Sequence, residues 1–181
     1  MKTDGERNGE YYDVFFQRYD ATGQTVGSET RANTAIAGNP YVAQFEPKII
    51  QLDNGDLLVA WRSEGQDGSQ SGVYGQRFDS SSGAAKGSEF QINVYTSDYQ
   101  YEPQLTPITG GFVAVWVSRG QDGSYDGVYA RLYDHSGNAT SGEFRVNETS
   151  YYEQYQPSVT TLANGGFAVA WTGYNGTTGD W

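Results

Sequence analysis

Apolar residues in this chain gather in short runs that end on tryptophan, and the runs repeat. Leu57-Leu58-Val59-Ala60-Trp61, Phe112-Val113-Ala114-Val115-Trp116 and Phe167-Ala168-Val169-Ala170-Trp171 recur at a spacing of 55 residues. Unbroken apolar runs of this length predict strands buried on both faces. Each run follows a glycine turn, Asp53-Asn54-Gly55, Thr109-Gly110-Gly111 or Asn164-Gly165-Gly166, which predicts a hairpin with a strand before it. That earlier strand is led in by Gln44-Phe45-Glu46-Pro47, Gln100-Tyr101-Glu102-Pro103 or Gln154-Tyr155-Gln156-Pro157. Beyond the tryptophan, Gly65-Gln66-Asp67-Gly68-Ser69 recurs as Gly120-Gln121-Asp122-Gly123-Ser124. A third strand follows, in which Val73, Gly75 and Arg77 alternate with Tyr74, Gln76 and Phe78, and Gly127-Val128-Tyr129 opens its second copy. A fourth, Glu89-Phe90-Gln91-Ile92-Asn93, matches Glu143-Phe144-Arg145-Val146-Asn147.

Four short antiparallel strands per unit, repeated along the chain, predict an all-β fold: a β-propeller built from four-stranded antiparallel blades. The ends add half-units. Asp13-Val14-Phe15-Phe16-Gln17-Arg18-Tyr19-Asp20 matches the third strand, and Gly27-Ser28-Glu29-Thr30-Arg31-Ala32-Asn33 the fourth. The last unit contains only its first two strands. The expected organisation is therefore residues 1–45 as one half-blade, 46–101 and 102–156 as blades, and 157–181 as the complementary half-blade. That makes three blade equivalents in a single repeat domain, with one blade split between the N- and C-termini. Exposed strand edges favour closure. Pairing of the halves between chains would make a homodimer or homotrimer ring. Trp181, an apolar residue at the terminus, is expected to dock on another chain or on the N-terminal half-blade.

Composition narrows the function classes. The 181 residues include 24 Gly and 15 Tyr, a load that suits short strands and tight turns. Eleven basic against 22 acidic residues leave no cationic surface for nucleic acid. The chain has no Cys and one His, so thiol chemistry and a His-based zinc site are not expected. No apolar run is long enough to insert in a membrane. The first residues lack a hydrophobic signal region, so the chain is cytoplasmic or starts after a removed segment.

The sequence Trp61-Arg62-Ser63-Glu64-Gly65-Gln66-Asp67-Gly68-Ser69, with Gly72-Val73-Tyr74, Gln76-Arg77-Phe78-Asp79, Glu89-Phe90-Gln91-Ile92-Asn93 and Gln100-Tyr101-Glu102-Pro103 after it, resembles tandem repeats of large secreted bacterial surface proteins. Those are adhesin-like and hemolysin-type calcium-binding proteins. The resemblance implies an extracellular or cell-surface origin and a propeller-like repeat. The end copies depart from the pattern, with Asn8-Gly9 and Asn175-Gly176 where the full copies have Asp-Gly.

Candidate sites follow from the repeats. Asp67 and Asp122, in glycine-rich loops, are candidate calcium ligands, or else caps of their own turns. Gln44, Glu46, Gln100, Glu102, Gln154 and Gln156 recur beside Phe45, Tyr101 and Tyr155. Polar amides and carboxylates next to aromatic rings suit a glycan, so Gln44, Glu46, Gln100, Tyr101, Glu102, Gln154, Tyr155 and Gln156 are candidate ligand contacts; the alternative is a bridge between blades. Tyr95, Tyr99, Tyr101, Tyr151, Tyr152 and Tyr155 are candidates for an exposed contact surface. No nucleophile triad, phosphate loop or dinucleotide fingerprint is present. The expectation is a non-enzymatic, extracellular module for adhesion or structural assembly that self-associates through completed blades. A carbohydrate-binding lectin is the alternative.

Overall fold

The computed structural model describes residues 12–34 and 42–174. They form twelve strands: β1 (Phe15–Tyr19), β2 (Thr25–Arg31), β3 (Gln44–Gln51), β4 (Leu57–Glu64), β5 (Ser71–Phe78), β6 (Ala85–Gln91), β7 (Gln100–Ile108), β8 (Gly111–Arg119), β9 (Asp126–Asp134), β10 (Phe144–Arg145), β11 (Gln154–Thr161) and β12 (Phe167–Gly173). All named pairs are antiparallel. Two four-stranded sheets, β3-β4-β5-β6 and β7-β8-β9-β10, lie between two two-stranded sheets, β1-β2 and β11-β12. Trp181 lies outside the described residues.

The sheets stack face to face in chain order, which explains why the tryptophan-terminated strands do not alternate. In β4, Leu58 and Ala60 face forward and pack with Phe112, Ala114 and Trp116 of β8. Val59 and Trp61 of the same strand face back and pack with Val14 and Ala32 beside β1 and β2. In β8 the other face, Val113 and Val115, meets Val159, Phe167 and Val169 of β11 and β12. A strand covered on both faces needs apolar residues at every position. Phe112 and Tyr133, paired across β8 and β9, stack with ring centroids 4.8 Å apart on the face toward β4.

A buried asparagine ties the fourth strand to the third in three sheets. Asn93 Oδ1 accepts the Val73 N–H (2.7 Å), Asn147 Oδ1 that of Val128 (2.8 Å) and Asn33 Oδ1 that of Val14 (2.9 Å). The strand expected over 143–147 shortens to the two residues of β10. Near its start, the Ser141 hydroxyl takes the Leu132 N–H that a ladder partner would otherwise satisfy.

Among the described residues, β1-β2 and β11-β12 do not join into one sheet within the chain. No described helix is long and apolar enough to cross a membrane.

Candidate functional site

The Gln-aromatic-Glu-Pro signature builds a bulge. Pairing slips between Phe45 and Lys48, between Tyr101 and Gln104, and between Tyr155 and Ser158. At the slip, Glu46, Glu102 and Gln156 take left-handed backbone angles, with φ of 57°, 53° and 54°. Such angles cost a non-glycine residue energy and are held only where the surroundings fix them. What fixes them is a ladder from sheet to sheet. The Glu102 N–H donates to Glu46 Oε2 at 2.6 Å, and the Gln156 N–H donates to Glu102 Oε2 at 2.6 Å. Bulges of this kind re-aim a side chain out of its strand.

At the same end of the sheets lies a groove of about 230 Å³ lined by Arg62, Tyr99, Tyr101 and Arg119. Arg62 is held between the rings of Phe45 and Tyr99, its guanidinium carbon 5.8 and 5.7 Å from the two centroids. Its nitrogens also reach Glu64 at 2.7 Å and Glu46 at 3.6 Å. Asp126, the first residue of β9, sits opposite Arg119 in the ladder. Burial pushes its carboxyl above the usual carboxylate range, while Tyr101 and Arg119 pull it back down. Its Oδ1 is buried without a hydrogen-bond partner, which favours the neutral acid. The Tyr101 phenol is itself pushed up, first by burial and then by the charges of Asp126 and Glu102. The charges of two carboxyl groups thus act on one tyrosine.

A second groove, of about 350 Å³, repeats the position one sheet further on. Tyr125, Tyr152, Glu153 and Tyr174 line it. Tyr152 and Tyr174 meet edge to face at 4.8 Å, and Tyr125, Tyr152 and Tyr174 are all exposed. Exposed rings beside acceptor groups can stack on the C–H face of a sugar while its hydroxyls are hydrogen-bonded at the edge.

The structure separates the predicted residues into two sets. Gln44, Gln100 and Gln154 are buried. Gln100 donates to Ser97 O and accepts from Asn93, and Gln154 accepts from the Trp171 indole at 2.9 Å. Gln100 thus reaches Asn93 at the end of the preceding sheet, and Gln154 reaches Trp171 within its own. Glu46, Glu102 and Gln156 carry the ladder, and Tyr101 and Tyr155 are half-buried. Asp67 and Asp122 each accept the N–H two residues on, from Ser69 at 3.0 Å and Ser124 at 3.1 Å, the geometry of a capped turn. Among the described residues no three His, Cys, Asp or Glu side chains group as a metal site. Of the tyrosines expected as a contact surface, Tyr99, Tyr101 and Tyr152 line the grooves.

Sequence reasoning missed Arg62, Arg119, Asp126 and Glu153. The copies differ here: Asp126 stands where the earlier unit has Ser71, and Arg119 where it has Glu64. A search for repeated residues passes over such positions, and the departure from the repeat was the available signal.

No family model matches the chain, and no curated protein matches it. Among solved structures it is similar to an alpha-L-arabinanase from Penicillium chrysogenum complexed with arabinobiose, at 15% identity and a TM-score of 0.59 over 87% of this chain. It is also similar to an endo-arabinase from Bacteroides thetaiotaomicron, at 12% identity and a TM-score of 0.52 over 82% of this chain. The chain spans 48% and 58% of those structures, about half their length. At such identities the likeness is one of fold, and it defines an all-β protein of β-propeller type.

These likenesses correct the expected function. Both matched proteins are enzymes, so the non-enzymatic module for adhesion or assembly, with a lectin as its alternative, does not stand. The physical reason lies in what the sequence excluded. The absence of thiols and of a recognisable triad, with only one histidine, removes several chemistries, but glycosidic bond cleavage needs only two carboxyl groups in different environments. An acidic chain supplies those without a motif.

Proposed function

We propose that the chain is part of a carbohydrate-acting β-propeller that hydrolyses glycosidic bonds in an arabinose-containing polysaccharide. Its blades number three equivalents, two whole and two complementary halves, and its origin is extracellular. The observation that carries the reading is the groove at Tyr101. It joins an arginine-and-tyrosine lining to Asp126, a carboxyl group that holds its proton more readily than usual. A protonated carboxyl group is what a glycosidic leaving oxygen requires, and a second carboxylate, Glu102, is near enough to Tyr101 for its charge to act on the same phenol. The likeness to two arabinan-cleaving enzymes supports the choice of substrate. The Tyr125, Tyr152 and Tyr174 groove then serves as a platform for sugar units beyond the cleaved bond.

The test is release of reducing ends from arabinan and a panel of other polysaccharides, with the Asp126→Asn variant beside the parent protein. The expected result is release from arabinan that falls about 100-fold or more in the variant, the scale of a lost general acid. A folded parent protein that releases nothing from any polysaccharide would end the reading.

A further inference from the structure

A repeat shows which residues its scaffold does not require. Counted from the tryptophan that ends each apolar run, Arg62 stands where the other copies have Val117 and Thr172, and Arg119 where they have Glu64 and Tyr174. Counted from the lead-in glutamine, Tyr99 stands where they have Ala43 and Glu153. Strands form in every copy, with or without these side chains. The fold nevertheless brings all three to one groove, where the two four-stranded sheets meet. Tyr99 joins the other two: its ring centroid lies 5.7 Å from the Arg62 guanidinium carbon, and its carbonyl accepts the Arg119 N–H at 2.9 Å. Polar groups that converge on one cleft mark a recognition site. The two arginines are held differently. Arg62 is mostly covered, set between two rings, and its charge is matched by Glu64 at 2.7 Å and Glu46 at 3.6 Å. Arg119 is half exposed, and its ionic partner among the described residues is Asp98, also about half exposed, with Nε 3.9 Å from Oδ2. So long and wet a pair contributes little, which leaves Arg119 with charge to offer. Asp126, opposite Arg119 in the ladder, does not take up that charge, because its burial favours the neutral acid.

We infer that this groove receives a uronic acid unit of the polysaccharide, its carboxylate paired with Arg119 and its ring set against Tyr101. The inference rests on the reading of the groove as a sugar site and adds the charge of the sugar. A carboxylate fits better than other anions. The planar guanidinium of Arg119 can meet it with two parallel N–H···O bonds. One cation with charge to spare suits a monoanion, whereas the second charge of a phosphate monoester would face Glu46, Glu64 and Asp98. A sulfate ester matches the charge but lacks the planar fork. The incoming carboxylate takes the place of Asp98, so a long exposed ion pair is exchanged for a bidentate one.

Calorimetric titration with tri-galacturonate, neutral arabinotriose and a sulfated galactose trisaccharide tests this without any turnover. Tri-galacturonate is expected to bind more tightly than the other two and to lose affinity as salt is raised. Arg119→Gln is expected to weaken tri-galacturonate about tenfold or more and to leave arabinotriose unchanged. Asp98→Asn removes the competing carboxylate and puts in a residue that tolerates the left-handed angle at this position, φ 63°. It is expected to tighten tri-galacturonate, a gain that damage to the fold cannot produce. The inference is overturned if tri-galacturonate does not bind, if Arg119→Gln leaves its binding unchanged, or if the sulfated trisaccharide binds equally well. Tri-galacturonate binding that follows this pattern, with no reducing ends released from any polysaccharide, sustains the inference and ends the reading as a hydrolase. Cleavage of arabinan without tri-galacturonate binding does the reverse.

Discussion

The complete sheets and the half sheets carry the same sequence signals with different outcomes. Trp61, Trp116 and Trp171 end the same kind of apolar run, follow the same kind of turn and share a lead-in glutamine. Two are sealed between neighbouring sheets and the third is open to solvent. Local sequence therefore specifies the strand, its bulge and its turn, and neighbours specify burial. The half sheets keep everything that is encoded locally. Asn33 makes its lock, Asp20 caps its turn, and the bulge at Gln156 forms. They lack only what a partner strand supplies.

The sharpest way to break this comparison is to truncate the tryptophans. Trp116→Ala removes a fully buried side chain that packs with the opposing sheet, and is expected to cost about 3–5 kcal/mol. Trp171→Ala removes a partly exposed ring and one hydrogen bond to Gln154, and is expected to cost about 1 kcal/mol in a dilute single chain. Urea unfolding at low protein concentration measures both. Equal costs would mean that the half sheet buries its tryptophan as fully as the whole ones do.

The asparagine locks come next, and here the two regions should agree. Asn93, Asn147 and Asn33 are all buried and each takes a third-strand N–H. Alanine at any of them leaves a buried donor unsatisfied, at about 1–3 kcal/mol. A much smaller cost at Asn33 than at Asn93 would show that the N-terminal half sheet is not held as the structure describes.

Smaller still is the bulge ladder. Glu102→Ala removes the acceptor of the Gln156 N–H and is expected to cost about 1 kcal/mol, since the group is only partly buried. Glu102→Gly loses the same bond but relieves a left-handed backbone angle, so it is expected to cost less than the alanine variant. The reverse order in thermal melts would place the strain elsewhere.

How much of this was legible follows the same division. The strands, hairpins and inner-strand signature could be read because each is a local pattern repeated at a fixed spacing. The role of the signature could not. Gln44-Phe45-Glu46-Pro47 has the same residues whether its glutamine meets a sugar or is buried, and only the register slip after Phe45 sends Glu46 to the next sheet. The groove was less legible again. Asp126 gains its raised proton affinity from burial beside Tyr101, which is distant in sequence, and the repeat has no carboxylate at that position in the previous copy. Composition narrowed the chemistries to expect, yet the step from that narrowing to a non-enzyme ignored that paired carboxylates leave no signature in an acidic chain.

The smallest expected effect concerns acid. Asp79 ends β5 and accepts hydrogen bonds from the Ser81 and Ser82 hydroxyls and N–H groups, and these bonds, led by that of the Ser81 hydroxyl, hold its carboxyl far below the usual range. Asp134 ends β9 in a like turn held by Asn138 and Ser136, and Asp20 follows β1 in one held by Thr22 and Gln24. A carboxyl group with a lowered folded-state pKa contributes stability that is present above its unfolded value, about 3.9, and lost as pH falls through the folded value. Asp126 works the other way. Its raised folded-state pKa makes stability fall as pH rises from about 3.9 through the folded value. Because the turn aspartates lie at the surface, replacing one of them moves stability only slightly, and the sign is the informative part. Asp79→Asn and Asp20→Asn should each flatten the loss of melting temperature below pH ~4, Asp79→Asn the more, and Asp126→Asn should remove a gain that appears as pH falls from the raised folded value toward about 3.9. A flattening at Asp79 without one at Asp20 would mean that the turn needs a completed sheet above it, and the separation between local structure and burial would then fail at its simplest element.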